Sequence, residues 1–213
     1  MVQTIETLSI SFDFGTLKLN ADSLARLDSL GYTVKSLQDA IHEHELPKNG
    51  DVPAVYCGTW HKYNCGSLRG MWIDLTSFSD YNDFVNFCRA IHCDETAPEI
   101  MIQDFMNCNK NFRSEFFDES DFDKVNLYWE IVERQGQEAV DDFFEFFDDI
   151  EKFDEKFVGL YENKSDFAFD WLEWTGKREE IESLCPWIDY NGIAENMFAH
   201  DFNFGSNCYV FHA

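Results

Sequence analysis

The sequence predicts an α+β protein, an elongated chain of small domains in which short antiparallel sheets flank a helical middle domain. Three observations support this fold class. Segments that alternate between apolar and polar residues, as strands do, lie toward both ends of the chain, whereas the middle carries apolar residues at helical spacing. Hydrophobic residues make up 45% of the 213 residues and aromatic residues 17%, so the chain has enough apolar surface to bury a core.

Residues 1–53 are predicted to form an extra N-terminal α/β module. Alternating residues predict two strands with Gly15 between them, and two amphipathic segments predict helices, the first of which ends before Gly31. The four predicted elements cover residues 9–14, 16–20, 22–30 and 34–45. Helix- and strand-breaking residues at positions 47–51 then separate the module from the rest of the chain.

The remainder is predicted to form three further domains, over residues 54–112, 113–158 and 159–213. The first combines antiparallel strands with a helix, the second is helical and acidic, and the third is a C-terminal α+β domain. The predicted strands are residues 54–59 and 67–75, joined by a turn at residues 63–66, and residues 100–105 and 209–212. The predicted helices are residues 81–91, 127–133, 137–157, 165–175 and 193–200.

The chain is strongly acidic. Forty-one Asp and Glu residues against 16 Lys and Arg give a formal net charge of −25, and residues 111–213 hold 26 of the acids against eight of the bases. Self-repulsion at this charge destabilises a compact state, so the charge is expected to serve a function. It also excludes direct binding to nucleic acid, which requires a basic surface.

The sequence predicts a cytoplasmic protein. Residues 1–20 contain no basic region followed by an apolar stretch, and no segment has the roughly 18 consecutive apolar residues of a membrane span. The seven cysteines, an odd number, are interpreted as reduced thiols that are mostly buried as small hydrophobic side chains.

The most informative local pattern lies in the helix predicted over residues 137–157. At 100° per residue, one face collects carboxylates: Glu138, Asp141, Asp142, Glu145, Asp148 and Asp149. The opposite face collects apolar side chains: Val140, Phe143, Phe144, Phe147 and Ile150. Burial of the apolar face would leave a ridge of carboxylates in water, with only Lys152 and Lys156 near enough to reduce their mutual repulsion.

Two interpretations of this ridge remain open. A solvated helix face is the ordinary explanation of a run of charge. The alternative is that carboxylates one helical turn apart, about 5–6 Å, imitate the phosphates of a DNA strand. Since B-DNA carries about one charge per 1.7 Å of axis, 25 charges correspond to roughly 40 Å of duplex. Such a protein would compete for a DNA-binding groove by its charge geometry, without catalysis.

Residues 55–74 resemble the opening of ArdA-type antirestriction proteins, in which a strand leads into a Lys-Tyr-Asn-x-Gly turn and then a Gly-x-Trp on the returning strand. Here these motifs are residues 62–66 and 70–72. Later stretches resemble the family in the same order: residues 101–105, 127–130, 166–168, 173–176, 187–190 and 198–201. The ordered set, together with the acidity, carries the resemblance over residues 54–213, and residues 1–53 have no equivalent in it.

The resemblance implies a curved homodimer, with three small domains per protomer, that mimics bent B-form DNA and inhibits type I restriction-modification enzymes. Such proteins are usually encoded on mobile genetic elements. It also implies that the antirestriction segment lies in the middle domain and that residues 159–213 form the dimer contact. The predicted partner-binding carboxylates are therefore Glu138, Asp141, Asp142, Glu145, Asp148, Asp149, Glu151 and Asp154.

Two groups of residues have the types that bind metals, but neither has the required spacing. Cys57, His61 and Cys65 lack the paired C-x2–4-C units of structural zinc sites. Residues 119–130 place carboxylates as a calcium loop does, yet Lys124 stands where the sharp turn needs glycine. No nucleophile with a base and no Gly-rich phosphate loop is recognisable, so no catalytic residue, metal or cofactor is predicted.

Three other classes of function remain as alternatives. An acidic interaction module would bind another basic, DNA-binding partner, such as a histone-like protein, with an affinity that depends on salt but tolerates changes in geometry. A calcium or metal enzyme would show stability or turnover that depends on the ion. A structural subunit would keep its function when the carboxylates of the ridge are neutralised.

Overall fold

The computed structural model describes residues 8–12, 15–48, 50–114, 117–185 and 187–213. The chain divides into two compact units, Met1–Trp129 and Glu130–Ala213. Both units combine helices with short antiparallel sheets, so the predicted α+β class is confirmed. The finer division into four domains stays a prediction. Within the described residues, no helix has both the length and the apolar composition needed to cross a membrane.

The N-terminal segment forms a hairpin followed by two helices: β1 (Leu8–Phe12), β2 (Gly15–Leu19), α1 (Ala21–Ser29) and α2 (Val34–His44). Asn20 and Thr33 cap the helices, because their side-chain oxygens accept backbone N–H groups of the first turn. Gly31 follows α1 with a φ of +83°, in the position predicted for it. The predicted strands and helices are confirmed, except that Asp13 and Phe14 lie outside the described residues.

A three-stranded antiparallel sheet lies at the centre of the first unit, in the order β4 (Met71–Asp74), β3 (Ala54–Thr59), β5 (Ile100–Met106). All six residues of β3 are buried. Helix α4 (Tyr81–Ile91) buries Phe84, Phe87 and Cys88, and burial, together with the neighbouring Cys57 of β3, raises the pKa of the Cys88 thiol. The predictions of a strand at residues 54–59, a helix at 81–91 and a strand at 100–105 are therefore confirmed.

The connection between β3 and β4 differs from the prediction. Residues 60–64 form a short helix, α3 (Trp60–Asn64), where only a turn was predicted, and Thr59 caps it by accepting Lys62 N at 3.2 Å. Strand β4 begins at Met71 and not at residue 67. The reason is that Ser67 N donates to the carbonyl of Lys62 at 2.9 Å, which closes the end of α3 and removes Ser67 from the sheet.

The N-terminal segment packs on α4 of the first unit and on the residues just before and after that helix. His44, at the end of α2, stacks on Phe78 with ring centroids 4.0 Å apart. Arg26 of α1 donates its Nε to the carbonyl of Cys93, just beyond α4, at 2.8 Å. These contacts place the N-terminal segment within the first compact unit.

Helix α5 (Glu119–Gln135) spans the boundary of the two units and is much longer than the helix predicted over residues 127–133. At its start, Asp118 accepts Asp121 N at 3.1 Å. The buried residues Phe122 and Val125 continue the helical spacing toward the N-terminus. The prediction missed these first turns because their exposed positions are almost all acidic or polar, which is typical of a loop as well.

The second unit contains a sheet in the order β6 (Phe157–Leu160), β8 (Tyr209–His212), β7 (Phe202–Phe204), together with α8 (Lys164–Trp174), α9 (Lys177–Leu184) and α10 (Tyr190–His200). Its core includes Phe167, Ala194, Met197 and Val210. The predicted helices at residues 165–175 and 193–200 and the strand at 209–212 are confirmed. Strands β6 and β7, which are only four and three residues long, and helix α9 were not predicted from the sequence.

Candidate functional site

The long helix predicted over residues 137–157 does not form. The chain makes a short helix, α6 (Gln137–Phe143), then turns, a 3₁₀ segment (Ile150–Lys152) and α7 (Phe153–Lys156) before it enters β6. Asp149 caps the 3₁₀ segment by accepting Glu151 N at 3.3 Å. Adjacent aspartates favour such caps and turns over helix interiors, because their carboxylates bond to the local backbone.

Aromatic packing explains why this part of the chain bends. Phe211 of β8 lies in the middle of a phenylalanine cluster, with ring centroids 5.7 Å from Phe143, 6.3 Å from Phe147, 6.1 Å from Phe153 and 5.9 Å from Phe157. Phe143, Phe153 and Phe211 are completely or almost completely buried. A straight helix could not bring all four rings to one partner, so the chain folds around Phe211. The predicted inward direction of Phe143 is confirmed.

The acidic segment, residues 138–154, contains eight carboxylates and one cationic side chain, Lys152. Six of the eight predicted partner-binding carboxylates are exposed: Glu138, Asp141, Glu145, Asp148, Glu151 and Asp154. Asp149 is half-exposed. The prediction that these residues leave carboxylates in water is thus confirmed for most of them, although they stand on a short helix, turns and a 3₁₀ segment and not along one straight helix.

Asp142 was placed on the exposed face, and this prediction is wrong. Its side chain is completely buried, and its carboxylate accepts Asn207 N at 2.8 Å, Asn207 Nδ2 at 2.8 Å and Tyr209 N at 3.0 Å. The buried charge is therefore matched by three donors, two from the β7–β8 connection and one from the first residue of β8. Because the prediction assumed a continuous straight helix, it placed Asp142 beside Asp141 without knowing that the hairpin covers it.

Few contacts offset the charge of the exposed carboxylates. Asp154 pairs with Arg134, but both side chains are at least half exposed, so the pair contributes about 1 kcal/mol or less to stability. Lys156, which the sequence placed near the ridge, donates its Nζ to the carbonyl of Ala213 at 2.7 Å and lies over the Phe147 ring. The surface therefore keeps a strongly negative potential, which is the chemistry that attracts a basic groove.

The family of this chain is established by comparison with models of known protein families. Residues 55–211 match the family model described as Antirestriction protein (ArdA), which covers well over half of the chain. The chain belongs to the ArdA family. No curated protein matches the chain. The resemblance predicted from the sequence is confirmed. Membership of this family implies an antirestriction function.

The ArdA match includes the whole acidic segment and all of the hairpin formed by β7 and β8 except His212, and it leaves residues 1–54 outside. The N-terminal segment, which contacts α4 and its flanking residues through His44 and Arg26, is therefore an addition to the part that the family describes. The turn at residues 62–66, which carried part of the resemblance, lies at α3 in the first unit.

The ArdA turn positions a buried charge network that the sequence reading did not find. Lys62 is 7% exposed, and its Nζ donates to Asp94 and to His92 Nδ1, both at 3.2 Å, and pairs with Glu95. Thr59 donates to the same Glu95 carboxylate at 2.6 Å. Only the fold brings these residues together, because about 30 residues separate Lys62 from its partners in the chain.

The protonation of this network follows from its surroundings. Burial, together with the positive charges of Lys62 and Arg69, lowers the pKa of His92 from 6.5 to about 3. Burial raises the pKa of Asp94, but the ion pairs with Arg69 and Lys62 outweigh it, so that this pKa lies below its ordinary value. His92 is therefore neutral and lies among side chains whose charges are paired. The network stabilises the junction of α3 with the end of α4.

The thiols considered for zinc lie apart in the fold. Cys57 is buried on β3, whereas Cys65 is exposed just after α3. Among the residues that the structure describes, no group of three or more His, Cys, Asp or Glu side chains is arranged to hold a metal ion.

The second unit also exposes large apolar side chains. Trp187 is 86% exposed, Leu184 81% and Trp174 64%. They lie on and around α9, which contributes no fully buried residue of its own. Large apolar side chains on a protein surface mark a contact with another protein where they form a contiguous patch.

Proposed function

We propose that this ArdA protein inhibits a type I restriction-modification enzyme by mimicking B-form DNA and occupying the DNA-binding groove of that enzyme. The observation that carries the proposal is the acidic segment: seven of its eight carboxylates reach solvent, while Lys152 is its only cationic side chain. The protein would act by binding alone, without catalysis or a cofactor. It would work in the cytoplasm, and its seven cysteines are all free thiols.

Electrostatics explains why such a surface would compete with DNA. A DNA-binding groove carries lysines and arginines that displace the counterions condensed on phosphates. Exposed carboxylates offer the same sign of charge to those side chains, so DNA and protein would exclude each other from one groove. Because the attraction acts between exposed charges, it should weaken as salt rises.

Rigidity supports mimicry over a geometry-tolerant acidic module. Phe143, Phe153 and Phe211 hold the backbone of the acidic segment against a buried aromatic core, so the carboxylates stand at defined positions. A disordered acidic tail would pay an entropic cost to order on binding, which a preformed surface avoids.

We further propose a homodimer whose contact involves the third predicted domain, residues 159–213. Trp187, Leu184 and Trp174 support this, since a second copy would remove their apolar surface from water. Sedimentation of the wild type against Leu184→Ser would test it: a dimer that dissociates on substitution supports the proposal, and a monomeric wild type at micromolar concentration refutes it.

A competition assay tests the main proposal. Labelled duplex DNA bound to a type I methyltransferase core would be titrated with wild-type protein and with two triple variants. The first neutralises exposed carboxylates of the acidic segment: Asp141→Asn, Asp148→Asn and Glu151→Gln. The matched control removes the same three charges from exposed positions outside the family match: Asp28→Asn, Asp39→Asn and Glu43→Gln.

Wild-type protein should displace DNA stoichiometrically. The first triple variant should need at least about tenfold more protein for half-displacement of DNA, which corresponds to roughly 1.4 kcal/mol of binding free energy. The control variant should need less than about threefold more protein than the wild type. Equal losses in the two variants would indicate that only net charge matters, as in an acidic module for basic proteins. Failure of the wild type to displace DNA from several type I enzymes would refute the proposed target.

A further inference from the structure

The turn of the C-terminal hairpin, β7 and β8 with residues 205–208 between them, encloses the carboxylate of Asp142. Asn207 N donates to both carboxylate oxygens, at 2.8 and 3.0 Å, and Tyr209 N donates to one of them at 3.0 Å. Asn207 Nδ2 adds a further bond at 2.8 Å. A completely buried carboxylate is costly unless such donors surround it, so the turn is built to receive this charge.

Gly205 permits this close approach. A Cβ at Gly205 would lie 2.2 Å from Cγ of Asp142, so any other residue would displace either the carboxylate or the turn. The Gly205 N–H, in turn, is bonded to the carbonyl of Tyr209 at 2.9 Å, which closes the hairpin. The Asp142 site is therefore a specific fit between α6 and the C-terminal hairpin.

Other contacts join the acidic segment to the same hairpin. Ser206 N donates to Oε2 of Glu145 at 3.2 Å. The Phe143 ring, next to Asp142 in the chain, packs on Phe211 of β8 with ring centroids 5.7 Å apart. The hairpin is thus the support on which α6 and the turn after it are placed.

We propose that Asp142 is a positioning residue of the acidic surface. Its buried carboxylate fastens α6 and the following turn to the C-terminal hairpin, and this fastening sets the spacing of the exposed carboxylates on both sides of it. Asp142 does not itself meet the partner. The inference rests on the proposed function, because the spacing of these carboxylates matters only if they bind a groove.

The test compares Asp142→Asn with Asp141→Asn, which removes the same charge from the exposed neighbouring residue. Asparagine at position 142 would place an NH₂ group, which cannot accept a hydrogen bond, next to the N–H donors of Asn207 and Tyr209, so part of the hydrogen bonding would be lost. The double variant Asp142→Asn/Asn207→Asp exchanges the two groups. Its amide at position 142 can donate to the new carboxylate at position 207 and still accept the backbone N–H groups, and its net charge equals that of the wild type.

Two readouts are taken at a temperature at which thermal unfolding shows every variant to be folded. Hydrogen exchange of the backbone amides of residues 207 and 209 reports whether the hairpin is bound to Asp142 of α6. Displacement of DNA from the methyltransferase core reports whether the acidic surface still binds the groove. Asp142→Asn should lose protection at both amides and need about tenfold more protein for displacement, whereas Asp141→Asn should change displacement less than about threefold. The double variant should regain most of both.

The proposal would be overturned if folded Asp142→Asn displaced DNA as well as Asp141→Asn does. It would also be overturned if the double variant regained protection of the amides from exchange but did not regain displacement of DNA. A wild type that displaces no DNA would refute the proposed function alone. Exchange would then still decide the fastening: protection lost in Asp142→Asn and regained in the double variant supports it, and protection unchanged in Asp142→Asn overturns it.

Discussion

The imidazole of His44 lies on the ring of Phe78 with centroids 4.0 Å apart, and its Nδ1 lies 2.9 Å from the hydroxyl of Ser77. His44 belongs to the N-terminal segment that the ArdA match leaves out, whereas Ser77 and Phe78 lie inside the match. The same histidine contacts Phe87 of α4 at 4.8 Å. The added segment therefore takes part in the core of the first unit.

We expect His44→Ala to lower the free energy of unfolding by about 2 kcal/mol, since it removes a half-buried ring and its hydrogen bond. His42→Ala, at an exposed position of the same helix, serves as the control and should cost less than about 0.5 kcal/mol. Urea denaturation measures both. Equal effects of the two substitutions would show that the contacts of His44 with Ser77 and Phe78 add nothing to stability.

A dependence of stability on pH follows from His92, whose pKa is lowered by burial, Lys62 and Arg69 from 6.5 to about 3. Between these values the unfolded chain binds a proton that the folded protein excludes, so stability falls as pH falls. The slope is up to about 1.4 kcal/mol per pH unit. Urea unfolding between pH 7 and 5 should show this loss, and His92→Gln should show a shallower slope. Identical slopes would contradict the assignment of the loss to His92.

Lys62 and Arg134 both form ion pairs, yet their removal should have very different effects. Lys62→Met leaves Glu95 and Asp94 with too little positive charge in a buried network, so we expect a loss of about 3 kcal/mol or more. Arg134→Ala breaks an exposed pair with Asp154 and should cost less than about 1 kcal/mol. Thermal and urea unfolding would separate the two, and a small effect of Lys62→Met would refute a structural role for the network.

Gly205→Ala tests the fit around Asp142 from the opposite side. Because the added Cβ would lie 2.2 Å from Cγ of Asp142, we expect a loss of about 2 kcal/mol or more in the free energy of unfolding. Ser206→Ala, at the exposed next residue, should be nearly neutral, since its contact with Glu145 uses the backbone N–H. If alanine at position 205 is tolerated as well as at 206, the close approach has no energetic weight.

Much of the fold was predictable from local pattern. Strand β3 and helix α4 have the predicted bounds because β3 is a short apolar run and α4 places Phe84, Phe87 and Cys88 on one face at helical spacing. The helix predicted at residues 137–157 failed because its apolar spacing fits several backbone paths. The position of Phe211, more than 50 residues later, selects the bent one.

The candidate surface was predictable in composition but not in geometry. The exposure of Glu138, Asp141 and Asp148 to solvent was predictable because charged side chains are rarely buried. The burial of Asp142 depends on donors from Asn207 and Tyr209, which no local pattern near Asp142 reveals. A signal for such a site is the pairing of an acidic residue with a distant Gly-x-Asn turn, and only the tertiary structure joins the two.

DNA mimicry requires that this protein and duplex DNA do not occupy a type I methyltransferase core together. Its apparent Kd for the core would be measured at increasing concentrations of unlabelled cognate duplex and at two salt concentrations. If the two exclude each other, the apparent Kd should rise linearly with the concentration of free duplex, without reaching a plateau, and binding should weaken at the higher salt. A stable ternary complex, with a Kd unchanged by saturating DNA, would contradict DNA mimicry.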